Sequence, residues 1–486
     1  MLFSRTFDVE DQARFAALSG DRNPIHMDSV VARRTQAGAP VVHGMHILLW
    51  LLESLAESDI DLRKMVALKV RFRGMVYLGD RVDASLTQLT TDAMRAQVSV
   101  NGVIVVIFAA TLGSACAASM SSVASIKNSL PRLTSPCELT MDELSDRSGC
   151  ISFACEAAAF GATFPRAAKL LGECRIAALG CSTYLVGMVV PGLHSIYGGC
   201  NLQLIADPHP TGELHYAVTS VDTRFRRVFL HVNGGGLIGS IEAFSRIPPV
   251  QQPSIESVAS LVDRREFSSS VAMIVGGSRG LGEVVAKLIA AGGGRVIITY
   301  ASGLMDAQKV AAEINNWGGR CEVAAYDVRR DAYQQLQELS AVATHYYYFA
   351  TPPIFKRKTG FCALERLDEF NRFYIHGLLG LVEAARRLRS DDITVFYPST
   401  AYVHDRPADM TEYAMSKAAG EILCADIGRF MHGVRMVVQR LPRLRTDQTS
   451  SLIRSESENP LEVMLPIIRK THQPITEEEN TSTVVP

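Results

Sequence analysis

The sequence predicts an α/β fold for its C-terminal part, with a parallel sheet covered by helices on both faces. Six short apolar segments alternate there with segments of helical periodicity. The first of them, Val271–Val275, is followed at once by a glycine-rich turn and an amphipathic stretch at 283–291. Such alternation is typical of parallel strands joined by crossover helices. The residues before about position 250 do not continue this pattern and need a separate explanation.

Composition limits the possible partners. A chain of 486 residues is too long for one core, so between about two and four domains are expected. A net charge of −1 without a long basic run argues against a nucleic-acid partner. The ten cysteines are scattered and lack metal-ligand spacing, which predicts reduced thiols and no metal site.

No secretory signal or membrane span is predicted. The apolar stretch 41–52 contains two histidines and is too short to cross a bilayer. The stretch 102–120 is β-branched at first and then rich in Ala and Ser, so we expect a buried strand leaving a sheet. We therefore expect a cytoplasmic protein that is not bound to a membrane.

Two segments have the composition of domain boundaries. Residues 121–137 lack periodicity and predict a linker, and the proline-rich stretch 247–254 predicts a second boundary. A polar tail is expected to fray at 471–486. In the C-terminal part the predicted elements, in order, are strands at 271–275, 296–300, 321–326, 344–350, 393–397 and 435–439, with a further helix at 304–316.

The glycine-rich turn predicts a dinucleotide site. Glycines allow a tight turn and bring a pyrophosphate close to the unpaired N–H groups of the following helix. A glycine motif placed between a strand and a helix is the context that makes this interpretation specific. The residues expected to bind the cofactor here are Gly276, Ser278, Arg279, Gly280, Leu281 and Gly282.

Tyr413 and Lys417 predict hydride transfer to a carbonyl. Their four-residue spacing on a helix puts both on one face. A tyrosine hydroxyl can give a proton to a carbonyl that receives hydride, and a nearby lysine cation lowers its ordinary pKa of about 10. Ser399, after the fifth strand, would hold the carbonyl oxygen by a hydrogen bond. The alternative is a surface tyrosine and lysine one turn apart.

Residues 268–470 resemble the short-chain dehydrogenase/reductase family, which implies a Rossmann doubly wound sheet. The matches include the glycine turn, Tyr413-x-x-x-Lys417 and the pair Thr446-Asp447. The resemblance implies that Tyr413 and Lys417 also contact the cofactor. It adds three further cofactor-binding positions, Asp327, Val328 and Ala350. A sugar-nucleotide epimerase of the extended subfamily is a rival within the fold, but few residues follow Asp447 for its substrate domain.

Two positions depart from that family. Phe349-Ala350-Thr351 stands where the family usually has Asn-Ala-Gly, and Tyr374 stands where it often has a proton-relay asparagine. Both changes put efficient turnover in doubt. The second strand ends at 299–302 without an acidic residue that would accept the ribose hydroxyls of NAD, and Arg279 can meet a 2′-phosphate. The expected cofactor is therefore NADPH/NADP, unless Arg279 is a solvated loop charge.

The first block resembles the MaoC-like, or R-specific, enoyl hydratase family of the α+β hot-dog fold. The resemblance rests on Ser-Gly-Asp21-Arg-Asn-Pro-Ile-His26 and Val-His43-Gly44-Met, and it spans roughly residues 5–115. It implies that Asp21 and His26 are the catalytic pair, with His26 as base and Asp21 handling the other proton. A backbone N–H near Gly44, where an apolar helix begins, would stabilise the thioester oxygen.

A purely structural role for the same residues also stays open. Asn23-Pro24 could be a simple turn with Asp21 capping the next helix, and Asp28 could be a second cap. His43 and His46 would then pack along or line an apolar helix.

The second block resembles a degenerate copy of the first. The run 184–188 echoes 42–45, Asn201–Ile205 echoes 68–72, and no Asp-x-x-x-x-His recurs. Hot-dog domains work in pairs, so this copy would complete the sheet and line an acyl tunnel with four side chains, Leu185, Met188, Val189 and Leu193.

The predicted organisation is a MaoC-like hot-dog at 1–122, a degenerate hot-dog at 138–247, a Rossmann domain at 266–470 and a tail at 471–486. It implies a bifunctional enzyme of fatty acid or polyketide metabolism that reduces 3-ketoacyl thioesters with NADPH and dehydrates the (R)-3-hydroxyacyl product. The acyl carrier would be coenzyme A or acyl carrier protein. Members of the reductase family often form dimers or tetramers, so the resemblance also allows a homo-oligomer. The alternatives are a reductase with a silent acyl-binding hot-dog module and a hydratase with a silent Rossmann module.

Overall fold

The computed structural model describes residues 2–113, 132–205, 212–339, 342–354, 361–449 and 457–473. The chain forms two compact units, one up to Pro248 and the other from Pro249 to the end of the described residues. The break falls inside the proline-rich stretch at 247–254. Residues 121–131, which make up most of the predicted linker at 121–137, lie outside the described residues.

The first unit contains one ten-stranded antiparallel sheet and seven α-helices among its described residues. Its strands are β1 Leu2–Thr6, β2 Met65–Phe72, β3 Arg81–Leu89, β4 Ala93–Val100, β5 Val103–Leu112, β6 Ser148–Ser152, β7 Ser195–Leu204, β8 Glu213–Asp222, β9 Arg227–Gly234 and β10 Leu237–Ser245. Its helices are α1 Val9–Ser19, α2 Pro24–Met27, α3 Ser29–Ala32, α4 Gly44–Glu57, α5 Ala157–Thr163, α6 Pro165–Leu171 and α7 Glu173–Tyr184.

The strand order repeats within this sheet. The order is β1-β3-β4-β5-β2-β7-β10-β9-β8-β6. Read from each edge towards the centre, β1-β3-β4-β5-β2 in the first half corresponds to β6-β8-β9-β10-β7 in the second. The halves meet where β2 pairs with β7, from Ala67 opposite Gln203 to Arg71 opposite Gly199. Each half has its longest helix, α4 or α7, immediately before this central strand. The architecture is therefore two similar α+β halves joined into one sheet.

A single hydrophobic core serves both halves. It includes Leu48 and Leu52 from α4, Leu179 from α7, and Val70 and Leu202 from the two central strands. Apart from its first residue and a few polar positions, α4 is buried along most of its length, as expected for a helix enclosed by other elements. Burial of this kind holds the N-terminus of α4 close to the end of α7.

One sequence interpretation of the second half is wrong in its detail. The run 184–188 echoes 42–45, yet Gly44 begins α4 whereas Gly187 lies in a π-helical turn, Leu185–Val189, that follows α7. The two glycines therefore occupy opposite ends of corresponding helices. Strand β7 does occupy the position that corresponds to β2. The stretch at 102–120 forms β5 up to Leu112, and its residues from 114 onward lie outside the described part.

The second unit has the predicted parallel sheet, with order β13-β12-β11-β14-β15-β16. Its strands are β11 Val271–Val275, β12 Arg295–Tyr300, β13 Arg320–Ala325, β14 His345–Tyr348, β15 Ile393–Thr400 and β16 Val434–Leu441. Its helices are α8 Ile255–Ala259, α9 Gly280–Ala291, α10 Leu304–Asn316, α11 Ala332–Gln337, α12 Leu364–Asn371, α13 Gly377–Leu388, α14 Tyr402–Asp405, α15 Thr411–Phe430 and α16 Pro460–His472.

All six predicted strands are present, and two separate cores flank the sheet, as a doubly wound fold requires. The chain order reverses between β11 and β14, and such a crevice at the carboxyl ends of the strands is where ligands bind in this architecture. Helix α16 continues through Thr471, a buried residue, beyond the predicted start of the tail. Within the described ranges, no helix has the length and apolar character needed to cross a membrane.

Candidate active sites

Asp21 and His26 are brought together by the short loop between α1 and α2. Helix α1 ends at Gly20, which has φ = 80°, the left-handed conformation that favours glycine. Asn23 then caps α2 by accepting a hydrogen bond from the Ile25 N–H at 3.1 Å. The cap of α2 is thus Asn23, and the alternative in which Asp21 caps it is wrong. Asp28 does cap α3, as that alternative expected.

The ring of His26 is oriented by the backbone. Its Nδ1 lies 2.8 Å from the carbonyl oxygen of Val41, so Nδ1 carries the proton in the neutral ring and donates it. Nε2 is then an acceptor, and it lies 3.9 Å from Oδ2 of Asp21. That separation is too long for a hydrogen bond and short enough for one substrate or water atom to contact both groups.

Burial favours the uncharged forms of both groups. Desolvation raises the pKa of Asp21 above its ordinary value, although attraction to His26 and the hydrogen bond from Thr183 oppose the shift. Desolvation lowers the pKa of His26, again against the attraction of Asp21. Burial thus shifts the carboxyl towards its acid form and the imidazole towards its neutral form, at adjacent positions.

His43 and Gly44 complete this surface. The rings of His43 and His26 stack with centroids 3.9 Å apart, and Nε2 of His43 lies 3.1 Å from the backbone oxygen of Asp21. His43 is the N-cap residue of α4 and makes no side-chain capping bond, so the N–H groups of the first turn, beginning at Gly44, are not used by its side chain. His46 instead stacks on Phe15 in the core.

The second half of the unit supplies residues that the sequence analysis missed. Thr183 Oγ1 donates a hydrogen bond to Asp21 Oδ2 at 2.7 Å. A Cβ added to Gly187 would lie 2.4 Å from Asp21 Oδ1. The side-chain amide of Asn23 donates to the carbonyl oxygens of Gly187 at 2.7 Å and Gly192 at 3.1 Å. No local motif marks these residues, because the contacts join positions more than 160 residues apart.

The glycine turn of the second unit has the geometry of a phosphate cradle. Gly276 and Gly280 have φ of 83° and 58°, and a Cβ at Gly282 would lie 2.4 Å from the oxygen of Gly276. Helix α9 begins at Gly280, and its N-cap residue Arg279 makes no side-chain capping bond. The backbone N–H groups of this turn can therefore face an anion.

The other predicted cofactor residues lie in the glycine turn itself or after strands β13 and β14 of the parallel sheet. Ala350 abuts the turn, since a Cβ at Gly276 would be 3.2 Å from the Ala350 nitrogen. Ser278 is buried, and Val328 is buried after β13. Asp327 forms an ion pair with Arg329 at 2.7 Å, and hydrogen bonding to Arg329 lowers the Asp327 pKa. Arg279 lies 3.7 Å from the carboxylate of Asp447.

Ser399, Tyr413 and Lys417 line one cavity of about 150 Å³, together with Leu281 from the glycine turn and Thr446. Lys417 and Tyr413 lie one turn apart on α15, as predicted. Lys417 Nζ donates to the Pro398 oxygen at 2.6 Å, and burial lowers its pKa to about 7. Burial raises the pKa of Tyr413 to about 12.

Two features of this cavity were not foreseen. Ser399 donates to the carboxylate of Glu421 at 2.5 Å, and Arg440 holds that carboxylate through two hydrogen bonds of 2.7 and 2.9 Å. Lys417 Nζ lies 3.9 Å from the ring centre of Tyr374, closer than its 6.0 Å to the ring of Tyr413. The replacement of the relay asparagine by Tyr374 therefore changes the lysine's immediate surroundings.

Burial opposes ionisation of Glu421, but the hydrogen bonds from Arg440 and Ser399 outweigh it and lower the Glu421 pKa. An ionised carboxylate only accepts hydrogen bonds, so Ser399 is the donor in this contact.

Two side-chain clusters in the described residues have metal-ligand composition. Asp21, His26 and His43 bring one ligand atom each within 4.8 Å of one another, and so do Cys150, Glu213 and His215. In the first cluster, Nδ1 of His26 already bonds Val41 and Oδ2 of Asp21 already bonds Thr183. These bonds already orient the His26 ring and the Asp21 carboxyl.

Comparison with known proteins matches both units separately. Residues 3–107 match the MaoC like domain, and residues 270–348 match short chain dehydrogenase. The chain contains a MaoC-like domain and a short-chain dehydrogenase domain. This confirms the hot-dog fold of the first half and the Rossmann fold of the second unit. That residues 138–247 are a second hot-dog copy stays a prediction.

Curated relatives cover only parts of the chain. Over 97 residues it is 34% identical to an (R)-specific enoyl-CoA hydratase of Aeromonas caviae, covering 20% of this chain and 64% of that protein. Over 80 residues it is 40% identical to peroxisomal multifunctional enzyme type 2 of Drosophila melanogaster, covering 15% and 13%. The chain thus spans less than two thirds of either relative.

A solved short-chain dehydrogenase from Burkholderia cenocepacia in complex with NADP is 20% identical, with a TM-score of 0.37, covering 42% of this chain and 91% of that one.

The contact between Gly187 and the carboxyl of Asp21 predicts that Gly187→Ala is destabilising. The new methyl group would displace a buried carboxylate held by other bonds, at a cost of about 1–3 kcal/mol. Thermal unfolding of the full chain measures this. Gly113→Ala is the matched control, because its Cβ would find its nearest neighbour, Val66, at 3.9 Å. An equal melting temperature for the two variants would contradict the prediction.

Proposed function

We propose that the chain is a bifunctional enzyme acting on acyl thioesters. The first unit interconverts (R)-3-hydroxyacyl and 2-enoyl thioesters by removing or adding water. The second unit reduces 3-ketoacyl thioesters with a nicotinamide cofactor. The acyl group is carried by coenzyme A or an acyl carrier protein, in fatty acid or polyketide metabolism. The observation that carries the proposal is the pairing of Asp21 with a backbone-oriented His26.

Hydration follows from the protonation states that burial favours. Nε2 of neutral His26 takes a proton from water as the water oxygen bonds to C3 of the enoyl group. Protonated Asp21 delivers its proton to C2 as the carbon–carbon π bond breaks. The resulting imidazolium returns a proton to the carboxylate across 3.9 Å through the bound hydroxyl or a water. Dehydration is the reverse of these steps.

The thioester oxygen gains negative charge during this reaction. The N-terminus of α4 lies beside His26, because His43 stacks on that ring and Gly44 follows it directly. Unpaired N–H groups and the positive end of the helix dipole stabilise an oxyanion. A side chain at Gly44 would meet the ring of Phe72 at 2.9 Å, so this position requires glycine.

The reductase chemistry belongs to the cavity lined by Tyr413, Lys417 and Ser399. The glycine turn would hold the pyrophosphate of the cofactor, which supplies hydride to the carbonyl carbon when bound. Tyr413 then donates its phenolic proton to the carbonyl oxygen. Lys417 lies one turn away and, when protonated, favours the phenolate that remains. Arg279 favours NADPH once its 3.7 Å contact with Asp447 is exchanged for a 2′-phosphate.

The division of labour within the first unit also forms part of the proposal. Residues 1–122 carry the catalytic pair and residues 138–247 form a degenerate second hot-dog, which the repeated strand order supports. Three of the proposed tunnel residues, Leu185, Met188 and Val189, are fully or nearly fully buried beside α7, while Leu193 is half-buried. The Rossmann domain occupies 266–470, with the polar tail after it.

A second candidate function is a hydratase whose Rossmann unit binds cofactor without turnover. The Ser399 hydroxyl donates its hydrogen bond to Glu421, so it does not donate one to a carbonyl in the cavity. The lysine contacts Tyr374 more closely than Tyr413. This candidate predicts NADPH binding without NADPH oxidation across a panel of 3-ketoacyl thioesters.

Separate sites predict separable losses. His26→Ala should lower the hydration of crotonyl-CoA by at least about 100-fold and leave acetoacetyl-CoA reduction unchanged, since it removes the only proposed base. Tyr413→Phe should do the reverse, because phenylalanine has no proton to give. Absorbance assays of the enoyl thioester and of NADPH on one preparation measure the two activities. Equal loss of both activities in either variant would contradict two independent sites.

Arg279→Ala tests the cofactor preference. Removal of the guanidinium should weaken NADPH binding by roughly 10-fold or more and change NADH binding little, because only NADPH has a 2′-phosphate to pair with it. Fluorescence titration of the full chain with both cofactors measures the two dissociation constants. An equal effect on both would show that Arg279 supports the turn rather than the phosphate.

A further inference from the structure

We propose that Thr183, in the second half of the first unit, is a positioning residue of the hydratase site that holds the Asp21 carboxyl in its working orientation. This inference rests on the proposed function and deepens it. It assigns the second half a direct part in the chemistry, through a residue that lies outside the stretch 3–107 matched to the MaoC like domain.

The hydrogen bond itself is well placed. Thr183 lies near the end of α7 and is 4% exposed, and its hydroxyl donates to Asp21 Oδ2 at 2.7 Å. Oδ2 is also the oxygen nearest to His26 and His43, at 3.9 and 3.8 Å. The threonine therefore holds the very oxygen that faces the base.

The other carboxyl oxygen is held from two further sides. Oδ1 accepts the backbone N–H of Asn23 at 3.1 Å and abuts Gly187, which has no side chain to displace it. Thr183 and Gly187 are four residues apart, so they lie on the same face of the helical segment. Rotation of the carboxyl group would break one of these contacts or clash with the helix. The second half thus donates a hydrogen bond to Oδ2 and packs against Oδ1, while the donor to Oδ1 comes from the first half.

Thr183 also sets how readily the carboxyl releases its proton. A hydroxyl that donates to a carboxylate stabilises the ionised form, against the desolvation that favours the acid. Removal of this donor should raise the pKa of Asp21 further, in line with the opposing contributions of burial and Thr183. A weaker acid transfers its proton to C2 less readily, so the rate falls for a reason that packing alone would not produce.

Thr183→Val is the decisive variant, since valine keeps the shape and removes the hydroxyl. It should lower kcat for crotonyl-CoA hydration by about 10-fold and move the limb of the pH–rate profile that reports Asp21 upward by about one pH unit. The direction of movement is the same whether that limb is acidic or basic. Thr183→Ser, which keeps a hydroxyl, should restore most of the rate and the wild-type limb.

Ser182→Ala is the matched control. Ser182 is a buried neighbour on the same helix whose hydroxyl bonds the Leu179 carbonyl at 2.6 Å and does not bond Asp21. Its removal should leave the limb in place. An unchanged limb in Thr183→Val, or an equal shift in Ser182→Ala, would overturn the proposal. Should Thr183→Val melt well below the wild type, the comparison of Thr183→Ser with Thr183→Ala replaces it.

A direct titration separates failure of this inference from failure of the proposed function. Wild-type protein that does not hydrate any enoyl thioester refutes the hydratase function. The Asp21 carboxyl carbon can still be followed by ¹³C NMR in aspartate-labelled full-length protein, with its signal assigned by Asp21→Asn. A higher pKa for Asp21 in Thr183→Val supports the contact in either case, and an unchanged pKa refutes it.

Discussion

A carboxyl group removed from water governs the organisation of the first unit. Asp21 is completely buried, and a buried carboxyl is tolerated only where donors replace its hydration. One donor, the Asn23 N–H, is local, but the other is Thr183 on a helix of the opposite half. The pairing of β2 with β7 makes this possible because it joins the halves into one sheet and places α4 and α7 in one core. The proposed catalytic pair therefore lies at the junction between the halves.

The second unit also buries an ionisable side chain, in this case that of a lysine. Lys417 is buried among the rings of Tyr374, Tyr397 and Tyr413, with one carbonyl oxygen, that of Pro398, as its hydrogen-bond acceptor. Aromatic faces stabilise a cation less than water does, which is why its pKa falls towards neutrality. The lysine can then change charge near neutral pH. A phenol with a raised pKa beside it remains a proton donor rather than a phenolate.

The sequence predicted those features that depend on neighbouring residues. All six parallel strands and the glycine turn could be predicted from local apolar segments and the turn residues between them. Tyr413 and Lys417 could be paired because they lie one helical turn apart. Asp21 lies in the short loop before α2 and His26 lies in α2 itself, so a local motif could mark both. Thr183 and Gly187 could not be found in this way, because their contact with Asp21 depends on how two helices far apart in the chain approach each other. The hydrogen bonds from Arg440 and Ser399 to Glu421 could not be predicted either, because they join strands to a helix that is distant from Ser399 in the chain.

Asn23 links the two halves of the first unit through its side chain. Its side-chain oxygen caps α2 from within the first half, while its amide donates to Gly187, Gly192 and Leu193 at the end of the π-helical turn. The last carbonyls of a helix lack intrahelical donors, and this amide supplies one for Gly187, while the N–H groups of Gly192 and Cys137 bond the carbonyls of Val186 and Met188. The loop that carries the proposed catalytic pair is thus also the cap of the opposite helix. Any shift of α7 relative to that loop would break the cap and release the Asp21 carboxyl at the same time, which couples the packing of the two halves to the geometry of the acid.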